Sequence, residues 1–257
     1  MKKVLRLIMV LGLVLLGVEI SPVEILKIKT INDGLTQLVA HEKSSGRTLW
    51  KSLLQVTVLP RDQAAGRQTI LLQETGSGIY GAHKKNLDWV VAATYYLKDE
   101  QLIPGRSSII FKDKTGKVVR SQERNYDTRS TLCLVDSKKQ SFAYRPGLIG
   151  SEFIGPFLSN YSFEGKKDLV FYLLTFEPVV YKMTVKYRAL ENVTTEKGVI
   201  LCHKLEMIPD LGALGLLGAF VPKTYFWFEA KAPHRFVKYE GLESGLGTPY
   251  IIEEICK

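Results

Sequence analysis

Between Val199 and Tyr239 apolar and polar residues alternate with a period of two. That period marks strands, whose successive side chains point to opposite faces of a sheet. Ile200, Cys202 and Lys204 point one way, and Leu201, His203 and Leu205 the other. Past a glycine-rich apolar run, Leu211 to Pro222, Phe226 and Phe228 oppose Tyr225, Trp227 and Glu229. A turn at Pro233 leads into a further strand, His234 to Glu240.

The same alternation recurs along most of the chain. Its clearest hairpin runs from Ser107 to Asp113, turns at Lys114-Thr115-Gly116, and returns from Lys117 to Tyr126. Asn32-Asp33-Gly34 is a turn signal between strands at Glu24 to Thr30 and Leu35 to Glu42. Further strands are expected at 48–59, 68–74, 88–97, 131–136, 140–145, 179–190, 197–208 and 249–255. Leu169 to Phe176 is apolar throughout, and period alone does not choose between strand and helix there. Pro146 to Asn160 reads as the one non-β insert, with a short helix broken at Pro156. Roughly a dozen short strands without β-α-β alternation predict a mainly β fold. The expected architecture is a single strongly curved antiparallel sheet, an open half-barrel with one short helical insert, spanning residues 22–257 as one domain. Such a sheet has an inner face to fill. The insert and the run Leu211 to Pro222 are the fillers available within the chain.

The N-terminus points to export. Lys2, Lys3 and Arg6 precede an apolar run from Leu7 to Val18. That run has the length of a signal-peptide core and falls short of the roughly 20 residues a bilayer span needs. Residues 1–21 are therefore read as a signal peptide, cleaved near Gly17 to Ser21 or kept as an inner-membrane anchor, and the domain as periplasmic. The formal charge is +9. Without the leader's three cations and Glu19 it is about +7, enough to attract anionic surfaces or simply to keep the protein soluble. Nucleic acid is not expected as a partner. Lys182, Lys186 and Arg188 share a strand face, but Tyr181 and Tyr187 lie on the other, so bases could not stack beside the cations.

Little in the chain promises catalysis. His41, His83, His203 and His234 have no metal-ligand spacing, and no metal or cofactor is expected. Gly76 to Gly81 is a literal G-x-G-x-x-G, yet the strand-like LDWVVAATYYL follows where a dinucleotide fold needs a helix. It reads as a flexible loop between strands. Ser244 sits among glycines and a proline that make a turn rather than a nucleophile elbow. Glu253-Glu254 and Asp99-Glu100 are adjacent, so on a strand each pair faces opposite ways and makes a poor acid/base couple. Cys133, Cys202 and Cys256 match no zinc spacing; they are small apolar strand residues or a disulfide whose pairing the sequence does not choose.

The apolar run is the remaining oddity. Leu211, Leu214, Leu216, Leu217, Phe220 and Val221 lie in a stretch without charge, and Gly212, Gly215 and Gly218 weaken any helix there. It either completes the core or forms a flap over an apolar cavity or a tip that touches the membrane surface. The expected site for a lipid or other hydrophobic small molecule is Leu211, Leu214, Leu217 and Phe220 with Tyr225, Trp227, Phe236 and Tyr239. The alternative is an envelope scaffold or partner-protein-binding module whose core is filled by its own side chains. An enzyme would need His203 or His234 joined to a carboxylate.

CHKLEMIPDLG (Cys202 to Gly212), TYFWFEAKAPHRFVKYEG (Thr224 to Gly241) and SGLGTPYIIEEI (Ser244 to Ile255) resemble the C-terminal half of an uncharacterised family of exported bacterial proteins, a domain of unknown function. The hairpin ending Arg124-Asn125-Tyr126-Asp127 is similar to that family's earlier strands, so the resemblance covers Leu87 to Ile255. It implies a curved antiparallel sheet like that of the LolA-type lipoprotein carriers, in the periplasm, and no agreed active site. No lipobox cysteine follows the leader.

Overall fold

The structure is a computed structural model. It describes residues 25–81, 85–127, 130–196, 198–210, 222–244 and 247–255. The leader, His83, Cys256 and the run 211–221 lie outside the described residues.

The N-terminal arm is a meander of eight strands: β1 (Gly34–Glu42), β2 (Thr48–Asp62), β3 (Arg67–Tyr80), β4 (Lys85–Lys98), β5 (Gln101–Lys112), β6 (Val118–Tyr126), β7 (Ser130–Val135) and β8 (Lys138–Ala143). The insert follows. It holds a three-residue strand β9 (Leu148–Gly150), a 3-10 turn (Ser151–Phe153) and a one-turn helix α1 (Ile154–Leu158). The C-terminal arm has β10 (Leu169–Leu174), β11 (Val180–Thr195), β12 (Gly198–Pro209), β13 (Thr224–Glu229), β14 (Phe236–Leu242) and β15 (Tyr250–Ile255).

All fifteen belong to one sheet, in the order β8-β7-β6-β5-β4-β3-β2-β1-β15-β14-β13-β12-β11-β10-β9. Two meanders thus run outward from the antiparallel β1–β15 pair in the middle. β9 joins β10 in parallel, and the other pairings are antiparallel.

This order forces curvature. β8 and β9 are the two edges of the sheet, yet only Tyr144 to Gly147 separate them in the chain. Five Cα steps reach at most about 18 Å. A flat sheet of fifteen strands would be roughly 65 Å wide. The edges must therefore curl toward each other, and the inward faces of both arms must meet around one core.

That core is the period-two pattern made solid. Ile70 and Leu72 of β3, Val91 and Tyr95 of β4, Phe171 of β10, Val185 of β11, Phe226 and Phe228 of β13 and Ile251 of β15 are buried in one cluster. The insert and the segment after it plug part of it: Phe153, Phe157 and Leu158, then Tyr161 and Phe163, all enter this cluster, and the Phe153 ring lies 4.2 Å from that of Tyr95. Each such aromatic burial stabilises by roughly 1.5–3 kcal/mol.

Three local expectations are corrected, and one alternative left open, at Leu169 to Phe176, is resolved. Residues 25–33 form no strand. They run extended, and the Asn160 side chain takes the place of a strand neighbour, accepting from the backbone N–H of Lys29 (2.9 Å) and Thr30 (3.1 Å). Pro156 does not break α1, because it sits in the first turn, where its missing N–H would have no helical partner. Leu169–Leu174 is a strand, buried on nearly every residue between its neighbours. And the Gly76–Gly78 segment is no loop but the second half of β3. Its glycines make room for two tryptophans. A Cβ on Gly76 would stand 2.0 Å from the Trp89 ring, and one on Gly78 would stand 2.6 Å from the Trp50 backbone.

Candidate functional site

Two groups of polar side chains sit inside the barrel. The first pins its edges together. Arg124 of β6 is fully buried and reaches the insert, where Nη1 donates to Glu152 Oε2 at 2.8 Å. Its Nη2 donates to the Thr175 carbonyl, just past β10, also at 2.8 Å. Tyr95 of β4 donates its hydroxyl to Glu152 Oε1 (3.1 Å) and accepts from the Gly150 N–H (3.2 Å). Gly150 must lack a side chain here, since a Cβ would stand 2.2 Å from Glu152 Oε1. Nearer the surface, Arg120 and Glu177 form a two-pronged pair at 2.7 and 3.0 Å across the same gap. Side chains thus join arms that no backbone ladder closes.

The second group lines a cavity of about 980 Å³ between the arms. Its apolar wall includes Leu54 and Val56 of β2, Phe111 of β5, Met183 of β11, Phe226 of β13 and Phe176. The floor follows from strand register. Across the sheet, Tyr239, Glu253, Ala40, Trp50 and Gly78 are successive partners on β14, β15, β1, β2 and β3. In the next row Leu38, Ser52, Gly76 and Trp89 are partners on β1, β2, β3 and β4. Small residues at Ala40, Ser52, Gly76 and Gly78 alternate with large rings, and the two glycines leave room for Trp89 and Trp50 to lie close against the sheet.

Aromatic rings crowd one part of this space. Trp50 and Trp89 meet edge to face at 5.6 Å. Tyr80 lies 5.2 Å from both Trp89 and Phe111. Three carboxyl groups stand among them. Glu243, just past β14, accepts from Trp50 Nε1 (2.6 Å) and the Gly81 N–H (2.7 Å). Glu74 accepts from Trp89 Nε1 at 3.3 Å. Burial raises both of these carboxyls above the usual carboxylate range, and their hydrogen bonds only partly oppose it. Glu253 is raised furthest, to about 8, by burial first and then by Glu74 and Glu243. By exposure Glu253 is half-buried, and the surface it shows faces the cavity.

Of the residues expected to form the site, Phe236 and Tyr239 line the cavity. Tyr225 and Trp227 do not. They lie on the outer face, in a separate cluster with Val193, Cys202 and Val237. Lys204 covers both rings, at 4.7 and 4.8 Å, and the Trp227 indole donates to Glu191 at 2.7 Å. The alternation correctly put them opposite Phe226 and Phe228, but the concave side is the phenylalanine side. Leu211, Leu214, Leu217 and Phe220 fall outside the described residues.

Sequence reasoning did not pick out Glu74, Glu243, Glu253, Trp50, Tyr80 or Trp89. A signal existed: Ile70-x-Leu72-x-Glu74 and Ile251-x-Glu253-x-Ile255 each place a carboxylate in the inward, apolar phase of a strand. The adjacent pair Glu253-Glu254 does face opposite ways, with Glu254 turned out toward Lys238 at 3.8 Å.

His203 and His234 meet rings rather than acids. His203 stacks on Phe163 at 4.4 Å and lies 5.6 Å from His234, whose Nδ1 is 2.9 Å from the Glu229 carbonyl. Burial, then His234 and Lys166, keep His203 below the ordinary imidazole range. Cys133 and Cys202 are buried free thiols in different clusters. No three potential ligands converge on a metal site among the described residues.

No family model and no curated protein matches the chain. Solved structures are similar to it. The beta-barrel-like protein of domain of unknown function DUF1849 from Brucella abortus superposes with a TM-score of 0.51 at 10% identity, over 87% of this chain and 95% of that one. The two share a fold. A candidate exported protein with a YmcC-like fold from Bacteroides fragilis (TM-score 0.32, 9% identity, 90% of this chain and 98% of that one) is similar more loosely. So is a candidate lipoprotein from Parabacteroides distasonis (TM-score 0.31, 8% identity, 91% and 98%). The likeness is to a barrel-like domain of unknown function, and it does not single out the LolA-type carriers. No helix among the described residues is long and apolar enough to cross a membrane.

Proposed function

We propose that this chain is a binding protein of the cell envelope that holds a lipid, or another ligand with a large apolar part, inside its half-barrel. The observation that carries the reading is the cavity of about 980 Å³. That volume lies at the upper end of those that accept small-molecule ligands, and apolar walls with a few polar groups are their usual lining. The extracytoplasmic placement rests on the positively charged, apolar N-terminus.

Native mass spectrometry of the purified protein, followed by organic extraction, tests this. A stoichiometric co-purifying lipid, or uptake of a supplied one, is the expected result. Val56→Trp narrows the cavity and should weaken uptake, whereas Trp227→Phe on the outer face should leave it unchanged. A clean protein mass, with no uptake of any supplied lipid, would favour the scaffold or partner-binding reading instead.

A further inference from the structure

The carboxyl groups in the cavity say what kind of ligand fits. Glu243 and Glu74 are each held by an indole N–H. Among the described residues, no hydrogen bond or ion pair reaches Glu253. A half-buried carboxylate without a partner is costly to charge, and two more beside it make its charge costlier still. Arg235 is the single Lys or Arg among the described lining residues, and it stands on the exposed hairpin between β13 and β14. The described residues therefore supply no cation to this group, although they supply one to Glu152 at the seam. Trp50, Tyr80 and Trp89 line the same space, and desolvated aromatic rings attract ammonium and guanidinium groups.

We propose that the ligand carries a cationic group, an ammonium or guanidinium, which pairs with Glu253 between Glu74 and Glu243 and lies against the rings of Trp50, Tyr80 and Trp89. This rests on the binding reading above and names the ligand's polar end: an apolar body in the cavity, a positive head at the acidic cluster. The groups that face Glu253 are Glu74 and Tyr80 from β3, Tyr239 from β14 and Glu243 past its end; its direct neighbour on β1 is Ala40, which does not titrate. Tyr80 and Tyr239 are held well above the ordinary phenol range by burial and then by these acids, so they stay neutral. Glu253 keeps its proton up to about pH 8. A cation entering below that pH must displace that proton.

Decyltrimethylammonium, decanol and decanoate share one chain and differ in head charge. Their binding to the full protein is measured by calorimetry at monomeric concentrations. The cation is expected to bind at least about tenfold more tightly than decanol, and decanoate more weakly than both. Its affinity should rise by up to about tenfold per unit as pH approaches 8 and then level off, with proton release seen as a buffer-dependent heat. Glu253→Gln should remove the preference and the pH dependence while decanol still binds. Should all three bind alike, or decanoate bind best, the cation inference is overturned and the apolar-ligand reading survives. If none binds, both fall.

Discussion

At the seam, Glu152 is buried and receives a guanidinium at 2.8 Å and a phenol at 3.1 Å. Across the barrel, Glu253 is half-buried against the cavity and receives neither. Both carboxyls come from the same kind of chain and face the same interior. The seam acid is neutralised from within, and its whole network is internal: Arg124 also holds the Thr175 carbonyl, and Tyr95 also holds the Gly150 N–H. Such an arrangement positions one arm against the other. The cavity acids have rings, space and one another instead. A buried acid with a partner maintains a shape, while one without a partner is available to something that enters.

Breaking the seam should have the largest effect. Arg124→Ala leaves Glu152 buried without its cation and should cost about 3–5 kcal/mol in urea unfolding. Replacing both, with Arg124→Met and Glu152→Met, should recover most of that loss, because the apolar pair leaves no stranded charge. A loss below about 1 kcal/mol for Arg124→Ala would mean that the seam is held by packing alone.

The cavity should respond with the opposite sign. The Glu253 carboxyl rises from 4.5 to about 8 on folding, so between these values the folded state binds a proton the unfolded chain has lost. Stability then falls as pH rises through that window. Glu253→Gln removes the penalty. Its melting temperature should match the parent's near pH 4 and exceed it at pH 9, by a free energy on the order of a few kcal/mol. Glu74 and Glu243 are raised too and act in the same direction. Equal melting temperatures at both pH values would place Glu253 in ordinary contact with bulk water.

Gly76→Ala sharpens the comparison on the side of shape. Its Cβ must push Trp89 from the β3 backbone, at roughly 1–3 kcal/mol, and tryptophan fluorescence should report the displaced indole. An unchanged spectrum and stability would show that the close approach is not needed. The smallest effect belongs to Arg120→Ala. This pair spans the same gap as Arg124–Glu152 but is open to solvent, so its loss should cost up to about 1 kcal/mol and vanish in high salt.

Most strands were legible because each is written locally. The alternation in 107–126 and 224–240 names both the strands and their two faces. What alternation does not contain is which face is concave. Alternation alone leads to Tyr225 and Trp227 as the ligand-facing side, and the closing of the arms puts Phe226 on the cavity instead. The glycines of 76–78 misled for a related reason. Glycine is a loop residue by propensity, and its use here as a space-maker depends on Trp89, thirteen positions further on, and Trp50, on the preceding strand. Arg124, inward between Gln122 and Tyr126, and Glu253, inward between Ile251 and Ile255, carried a visible anomaly: a charge in the buried phase of a strand.

By itself, then, the sequence determined a mainly β chain, its hairpins, and the pairs of residues that must oppose one another, since these follow from a two-residue period and short turns. The tertiary structure decided the strand order, with β1 beside β15 and the two edges tied by Tyr144 to Gly147. That long-range pairing put Arg124 against Glu152, from the two edge regions of the sheet, and left Glu253 facing the space between the arms. Whether a buried charge finds a partner depends on residues far away in the chain, and no local pattern encodes that distance.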